Sequence, residues 1–214
     1  MKRLFLTSVG LPKETRNYFL ELLGKDPKGT LVAFIPTAAD PEDDKWFVNA
    51  AKKEIKEIGM KIMEIDLKKE DKISLMEKLS NCDVIYVNGG NTFYLLDWAR
   101  KSGFNEVVKE QLKNGKIYVG VSAGSIIPGP SIEIASWGDG DRNIVNLNDL
   151  TGLNFVQFAI SPHYVSEDRK LLEEMSKKVN YSIVALNNSQ AVLVDGEKIR
   201  IVGVGEKVSF NGFK

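Results

Sequence analysis

Gly120-Val121-Ser122-Ala123-Gly124 follows the apolar run Ile117-Tyr118-Val119. A β-type run ending in G-x-S-x-G is the sequence form of a nucleophile elbow. There a serine sits on a sharp strand-to-helix turn with its hydroxyl exposed above a sheet. Glycine suits positions 120 and 124, because a side chain at either would crowd the neighbouring strand and helix. The chemistry this arrangement serves is acyl transfer, and a serine hydroxyl needs a base. The chain has one histidine, His163, so any serine–histidine chemistry must use it. His163 ends the run Phe155 to Pro162, where the proline stops a strand and fixes the chain direction. A histidine at the end of a strand in a parallel sheet lies on the edge where α/β proteins bind ligands. The competing reading of a lone histidine is a hydrogen-bonded core residue. The elbow upstream and the lack of another histidine favour the catalytic reading.

Acyl transfer also needs two N–H donors aimed at the developing oxyanion. The Ala123 N–H, next to the serine, is one candidate. The loop Asn88-Gly89-Gly90-Asn91 follows the apolar run Val84 to Val87, and its glycines can expose backbone N–H groups to a ligand. The same composition also forms ordinary tight turns.

These groups have to be held by a scaffold, and the chain alternates short apolar runs with amphipathic segments. Strands are expected at Leu4–Thr7, Thr30–Ile35, Met60–Ile65 and Val84–Val87, and before Ser122. Helices are expected at Lys13–Leu23, Pro41–Ile58, Lys72–Leu79, Thr92–Arg100 and Glu106–Leu112. In the second helix Trp46, Val48, Ala51 and Ile55 fall at helical spacing. This repetition predicts a three-layer α/β sandwich with a mostly parallel central sheet. Past Asp141 the pattern changes, and Ser182–Leu186, Ala191–Val194, Lys198–Val202 and Lys207–Phe210 read as a short antiparallel extension of the same domain. With 214 residues, no linker and no internal repeat, a single domain spanning 1–214 is expected.

Composition narrows the function classes. Lysine plus arginine and aspartate plus glutamate stand at 29 each, so neither a nucleic-acid partner nor a charged membrane surface is indicated. One cysteine, Cys82, excludes an internal disulfide and a cysteine-cluster metal site, and one histidine argues against a histidine-built zinc site. The acidic run Asp40-Pro41-Glu42-Asp43-Asp44 reads as a helix start rather than a metal site. The N-terminal apolar stretch is too short for a signal peptide, and no run reaches membrane-spanning length. A cytoplasmic protein without metal or cofactor is expected.

The segment Asn88-Gly89-Gly90-Asn91-Thr92-Phe93-Tyr94-Leu95-Leu96 resembles the G-G-N-T-F-x-L-L motif of the aspartyl dipeptidase (dipeptidase E) family of serine peptidases, which includes cyanophycinases. Gly120 to Gly124 is similar to its G-x-S-A-G elbow, and Pro162-His163-Tyr164 to its P-H-[FY] segment. The resemblance implies a class I glutamine amidotransferase-like fold and a cofactor-free serine peptidase. In it Ser122 is nucleophile, His163 general base, and the Gly90 and Ala123 N–H groups form the oxyanion hole. Asn91 and Arg169 are the candidate substrate contacts, small peptides the substrates, and a homodimer the candidate assembly.

The chain departs from the family twice. Where the family carries an acid that orients the imidazole, the matching segment Leu186 to Ala191 places Asn188. An amide oxygen can still accept from the imidazole Nδ1–H. Glu133, Asp139 and Asp141 are alternative orienters, and Asn187-Asn188-Ser189 also reads as a plain turn. The second departure is a missing insertion after the histidine. In the family that insertion carries an arginine for the substrate carboxylate, whereas here three residues separate His163 from Glu167-Asp168-Arg169. Arg169 has the fork to grip a carboxylate, and the same position suits a solvated helix face. Specificity for N-terminal aspartate is therefore not carried over. Two other classes fit the same residues: a non-catalytic binding or regulatory domain, favoured by Asn188, and an acyl hydrolase of small amides or esters.

Overall fold

Strand residues alternate between two faces, and in this chain both faces are apolar, so helices must cover both. The computed structural model describes residues 2–213. Its first half runs β1 (Arg3–Thr7), α1 (Lys13–Leu23), β2 (Leu31–Ile35), α2 (Trp46–Glu57), β3 (Lys61–Glu64) and α3 (Lys72–Ser80). There follow β4 (Val84–Val87), α4 (Thr92–Lys101), α5 (Phe104–Lys113), β5 (Ile117–Val121) and the single turn α6 (Ala123–Ile126). The last part contributes β6 (Phe158–Ser161), α7 (Arg169–Ser176), β7 (Ser182–Ala185), β8 (Gln190–Asp195), β9 (Lys198–Gly203) and β10 (Val208–Phe210).

The main sheet has the order β3-β2-β4-β5-β1-β8-β9. Its first five strands are parallel, and β8 and β9 close one side as an antiparallel pair. Leu4, Leu6, Ile35, Ile85 and Tyr118 face the layer of α3, α4 and α5, where they meet Leu75, Leu95 and Phe104. Phe5, Phe34, Tyr86 and Val119 face the layer of α1 and α2, against Phe19, Leu22, Val48 and Ile55. Each fully buried Leu, Ile or Phe among them stabilises the fold by about 1.5–3 kcal/mol. The chain is thus an α/β protein with a mostly parallel central sheet between helical layers. No helix among the described residues is long and apolar enough to cross a membrane.

The structure differs from the sequence-based expectation in two places that matter for the site. The extension past residue 141 is not one antiparallel continuation. While β8 and β9 join the main sheet, β6, β7 and β10 form a second sheet, in which β6 and β7 are parallel and β10 is antiparallel to β7. The strand that leads to His163 therefore belongs to the small sheet. The second helix begins at Trp46 and not at Pro41. Asp44 Oδ1 accepts from the Trp46 N–H at 3.0 Å, and residues 41–45 form a turn and loop ahead of the helix. The acidic run is consequently a loop, and Trp46, 67% exposed, leaves the core.

Candidate active site

The C-terminal ends of β1, β4 and β5 in the main sheet meet those of β6 and β7 in the small one. At the end of β5, Ser122 has φ 50° and ψ −113°, a conformation that costs a non-glycine residue about 1–3 kcal/mol. The surroundings hold it there. The Ser122 N–H donates to the Thr7 carbonyl at 3.0 Å. Ser125 Oγ accepts from the Thr7 N–H at 2.9 Å and lies 2.7 Å from the carbonyl oxygens of Thr7 and Gly120. The buried Tyr118 hydroxyl donates to the Gly124 carbonyl at 2.7 Å. A Cβ on Gly120 would collide with the Gly124 carbonyl, and one on Gly124 with the Val87 carbonyl. The two glycines are thus fixed by close backbone approach.

His163 also has a positive φ, 59°. Its N–H donates to Ser8 Oγ at 3.1 Å, and that hydroxyl donates to the Leu186 carbonyl at 2.7 Å. The Tyr164 N–H donates to the same carbonyl at 2.9 Å. Ser8, just past β1, therefore ties the main sheet to the ends of β6 and β7. The imidazole Nε2 stands 3.0 Å from Ser122 Oγ, and Nδ1 stands 3.0 Å from Asn188 Oδ1. An amide oxygen only accepts, so Nδ1 carries the proton and Nε2 presents its lone pair to the serine hydroxyl. Asn187 makes the turn that delivers Asn188: its Oδ1 accepts from the Ser189 N–H at 2.7 Å. The segment is both a turn and a source of an imidazole partner.

Gly90 has φ 133°, and a Cβ there would collide with the Ala38 carbonyl, so position 90 admits glycine alone. Among the loops and caps of the described residues, the N–H groups of Gly90 and Ala123 donate to no carbonyl. A cavity of about 440 Å³ is lined by Ser122, His163, Gly89 and Gly90, with Trp46 and Phe47 of α2 on its wall. Serine, imidazole and unengaged N–H groups at one cavity are the parts that acyl transfer requires.

The model of peptidase family S51 matches residues 4–202. The chain belongs to peptidase family S51. It is 34% identical over 204 residues to the uncharacterized peptidase Lmo0363 of Listeria monocytogenes, covering 93% of this chain and 97% of that protein. It is 28% identical over 204 residues to peptidase E of Shewanella denitrificans, covering 91% and 83%. The crystal structure of a candidate peptidase E protein from Listeria monocytogenes EGD-e superposes with a TM-score of 0.83 at 32% identity, covering 96% of this chain and all of that one. The S51 membership agrees with the resemblance carried by the three sequence motifs.

Two residues expected at the site of this S51 chain, Asn91 and Arg169, are engaged elsewhere in the structure. Asn91 is buried and committed to structure: its Oδ1 caps α4 by accepting from the Tyr94 N–H at 3.0 Å, and its Nδ2 donates to the Arg142 carbonyl at 3.0 Å. Arg169, at the start of α7, pairs with Glu206 at 2.8 Å on an exposed surface. Neither residue lines the cavity. Among the alternative orienters, Glu133 accepts from the Tyr181 hydroxyl at 2.6 Å, Asp141 accepts from the Thr92 N–H at 2.7 Å, and Asp139 is exposed. None of them partners the imidazole. Sequence reasoning missed Ser8 and Ser125, which brace the site through backbone groups and carry no motif. It also missed Trp46 as a cavity wall, because helical spacing assigned it to the core.

Proposed function

We propose that the chain is a serine-type peptidase that cleaves short peptides through an acyl-enzyme at Ser122. The observation that carries this reading is the Ser122–His163–Asn188 relay, with two 3.0 Å contacts to one imidazole at the mouth of the cavity. Ser122 Oγ attacks the scissile carbonyl carbon while His163 Nε2 takes its proton. The oxyanion that forms faces the Gly90 and Ala123 N–H groups. The tetrahedral intermediate collapses, the C–N bond breaks, and His163 returns the proton to the leaving amine. Water, deprotonated by the same imidazole, then releases the acyl group and restores Ser122. The cavity is near the small end of the range of about 300–1,000 Å³ typical of small-molecule sites, which supports a short substrate.

One detail favours this reading over an amidotransferase-like hydrolase of small amides or esters. Within a class I glutamine amidotransferase-like fold, amide hydrolysis ordinarily uses a cysteine. Cys82 is buried at the end of α3, and burial pushes its thiol up to about 11, far from a reactive thiolate. A binding or regulatory role has one observation in its favour: Asn188 lacks the charge of a carboxylate and stabilises an imidazolium less. Hydrolysis of a dipeptide library by wild type and Ser122→Ala decides between them. Product release by wild type alone supports the peptidase. Equal release by both proteins contradicts it, and silence from both supports the binding role.

A further inference from the structure

We infer that Gln190 and residues 203–206 position the imidazole's partner in the relay proposed above, on which this rests. They hold the turn that brings Asn188 to His163. Asn188 is exposed, and its amide carries no charge. A carboxylate would be drawn to an imidazolium by Coulomb attraction, whereas an amide keeps its place only if the backbone beneath it is fixed. Here that backbone is fixed from two sides. Gln190, the first residue of β8, is 2% exposed, and both ends of its side-chain amide are engaged. Its Oε1 accepts from the Asn187 N–H at 3.2 Å, and its Nε2 donates to the Glu206 carbonyl at 3.0 Å. The Gln190 N–H closes the turn by donating to the Asn187 carbonyl at 3.2 Å.

The stretch that joins β9 to β10 makes the second contact. The Val204 N–H donates to the Ser189 carbonyl at 3.0 Å, and the Val204 carbonyl accepts from Asn187 Nδ2 at 3.1 Å. The residues on either side of Asn188 are thereby bonded to one residue of the neighbouring stretch. The two segments lie so close that a Cβ on Gly203 would collide with the Ser189 carbonyl, and one on Gly205 with the Asn187 amide. Glu206 also pairs with Arg169 at 2.8 Å, which ties the same stretch to the start of α7. The family match ends at residue 202, so Val204 and Glu206 lie beyond it. A displacement of about 1 Å at a reacting group costs on the order of 100-fold in rate, so a support of this kind bears on turnover as well as on stability.

NMR of protein carrying ring-labelled histidine reads the effect without substrate, and the single histidine gives one pair of ring nitrogen signals. At a pH where the imidazole is neutral, wild type is expected to show the one tautomer protonated at Nδ1. Gln190→Met removes both bonds of the buried amide at nearly the same size. Asn187→Ser removes the donor to Val204 and keeps a hydroxyl that can form the turn. Each variant is expected to show a mixture of both tautomers and, on a dipeptide, a kcat lower by about tenfold or more. Introduced into Asn188→Ala, neither substitution is expected to lower kcat further. The single Nδ1–H tautomer retained in either folded variant overturns the proposal, as does wild type in any other tautomeric state. A further loss of kcat in the Asn188→Ala background also overturns it, being the mark of a purely structural role. Should Gln190→Met fail to fold, Asn187→Ser decides. A wild type that cuts no peptide contradicts the peptidase reading alone, because the tautomer is measured without turnover.

Discussion

At the scale of single residues, the site depends on an amide where a carboxylate would be stronger. Asn188 Oδ1 lies 3.0 Å from His163 Nδ1, and in the proposed mechanism it adds no charge to offset the imidazolium that forms during attack. Asn188→Asp is therefore expected to raise kcat by about tenfold or more, and Asn188→Ala to lower it, in steady-state assays on a dipeptide. An unchanged rate in both variants would remove Asn188 from the relay. Glu42 makes a prediction of opposite kind. Its folded-state pKa lies above the ordinary 4.5, so the folded protein binds this proton more tightly than the unfolded chain does. The stabilisation from that proton is present below pH 4.5 and is lost as pH rises through the raised value. Glu42→Gln is accordingly expected to raise Tm at pH 7 relative to wild type, with the advantage fading toward pH 4. A thermal-unfolding series in which the advantage instead grows on acidification would contradict the sign.

At the scale of elements, a strained serine needs a rigid support, and hydrogen bonds from neighbouring segments supply it. Ser125 on α6 satisfies the Thr7 N–H and braces the turn from below. Ser125→Ala leaves that buried donor without its partner, and a destabilisation of about 1–3 kcal/mol is expected in denaturant unfolding, together with a lower kcat. Ser8 tests the joint between the sheets. Ser8→Ala removes the link from β1 to the His163 N–H and the Leu186 carbonyl, so the imidazole loses its fixed distance from Ser122. The expected signature is a fall in kcat of about tenfold or more that exceeds any change in KM, because the lost bonds are those that hold the His163 backbone. A change confined to KM would contradict that role. The elbow was legible because its glycines, its serine and the preceding β-type run lie within eight residues. Ser8 and Ser125 were not, since serines that bond to backbone look like any other serine until the chain is folded.

At the scale of the whole molecule, the parallel sheet could be read from the sequence because each strand and helix announces itself by its own period. Lys13–Leu23 and Val84–Val87 come out with the boundaries the pattern predicts. Pairing partners are a different matter. Nothing within Phe158–Ser161 or Ser182–Ala185 states that these strands leave the main sheet and pair with each other, because that choice is made by distant surfaces. The consequence for function is considerable. One sheet carries Ser122 and the Gly90 loop, the other leads to His163 and Asn188, and the 3.0 Å contacts to the imidazole exist only where their ends meet. The start of α2 is a similar case: the acidic run promised a first helical turn, yet the helix begins only at Trp46 and leaves Glu42 in the cavity.

The claim on which the account depends is that His163 activates the Ser122 hydroxyl. Labelling with a fluorophosphonate, followed by peptide mass mapping, measures this directly. Wild type is expected to carry one adduct, on Ser122, and His163→Ala to lose it while retaining the wild-type circular dichroism spectrum. An unlabelled wild type, an adduct on another residue, or labelling of Ser122 at an equal rate without the imidazole would contradict it.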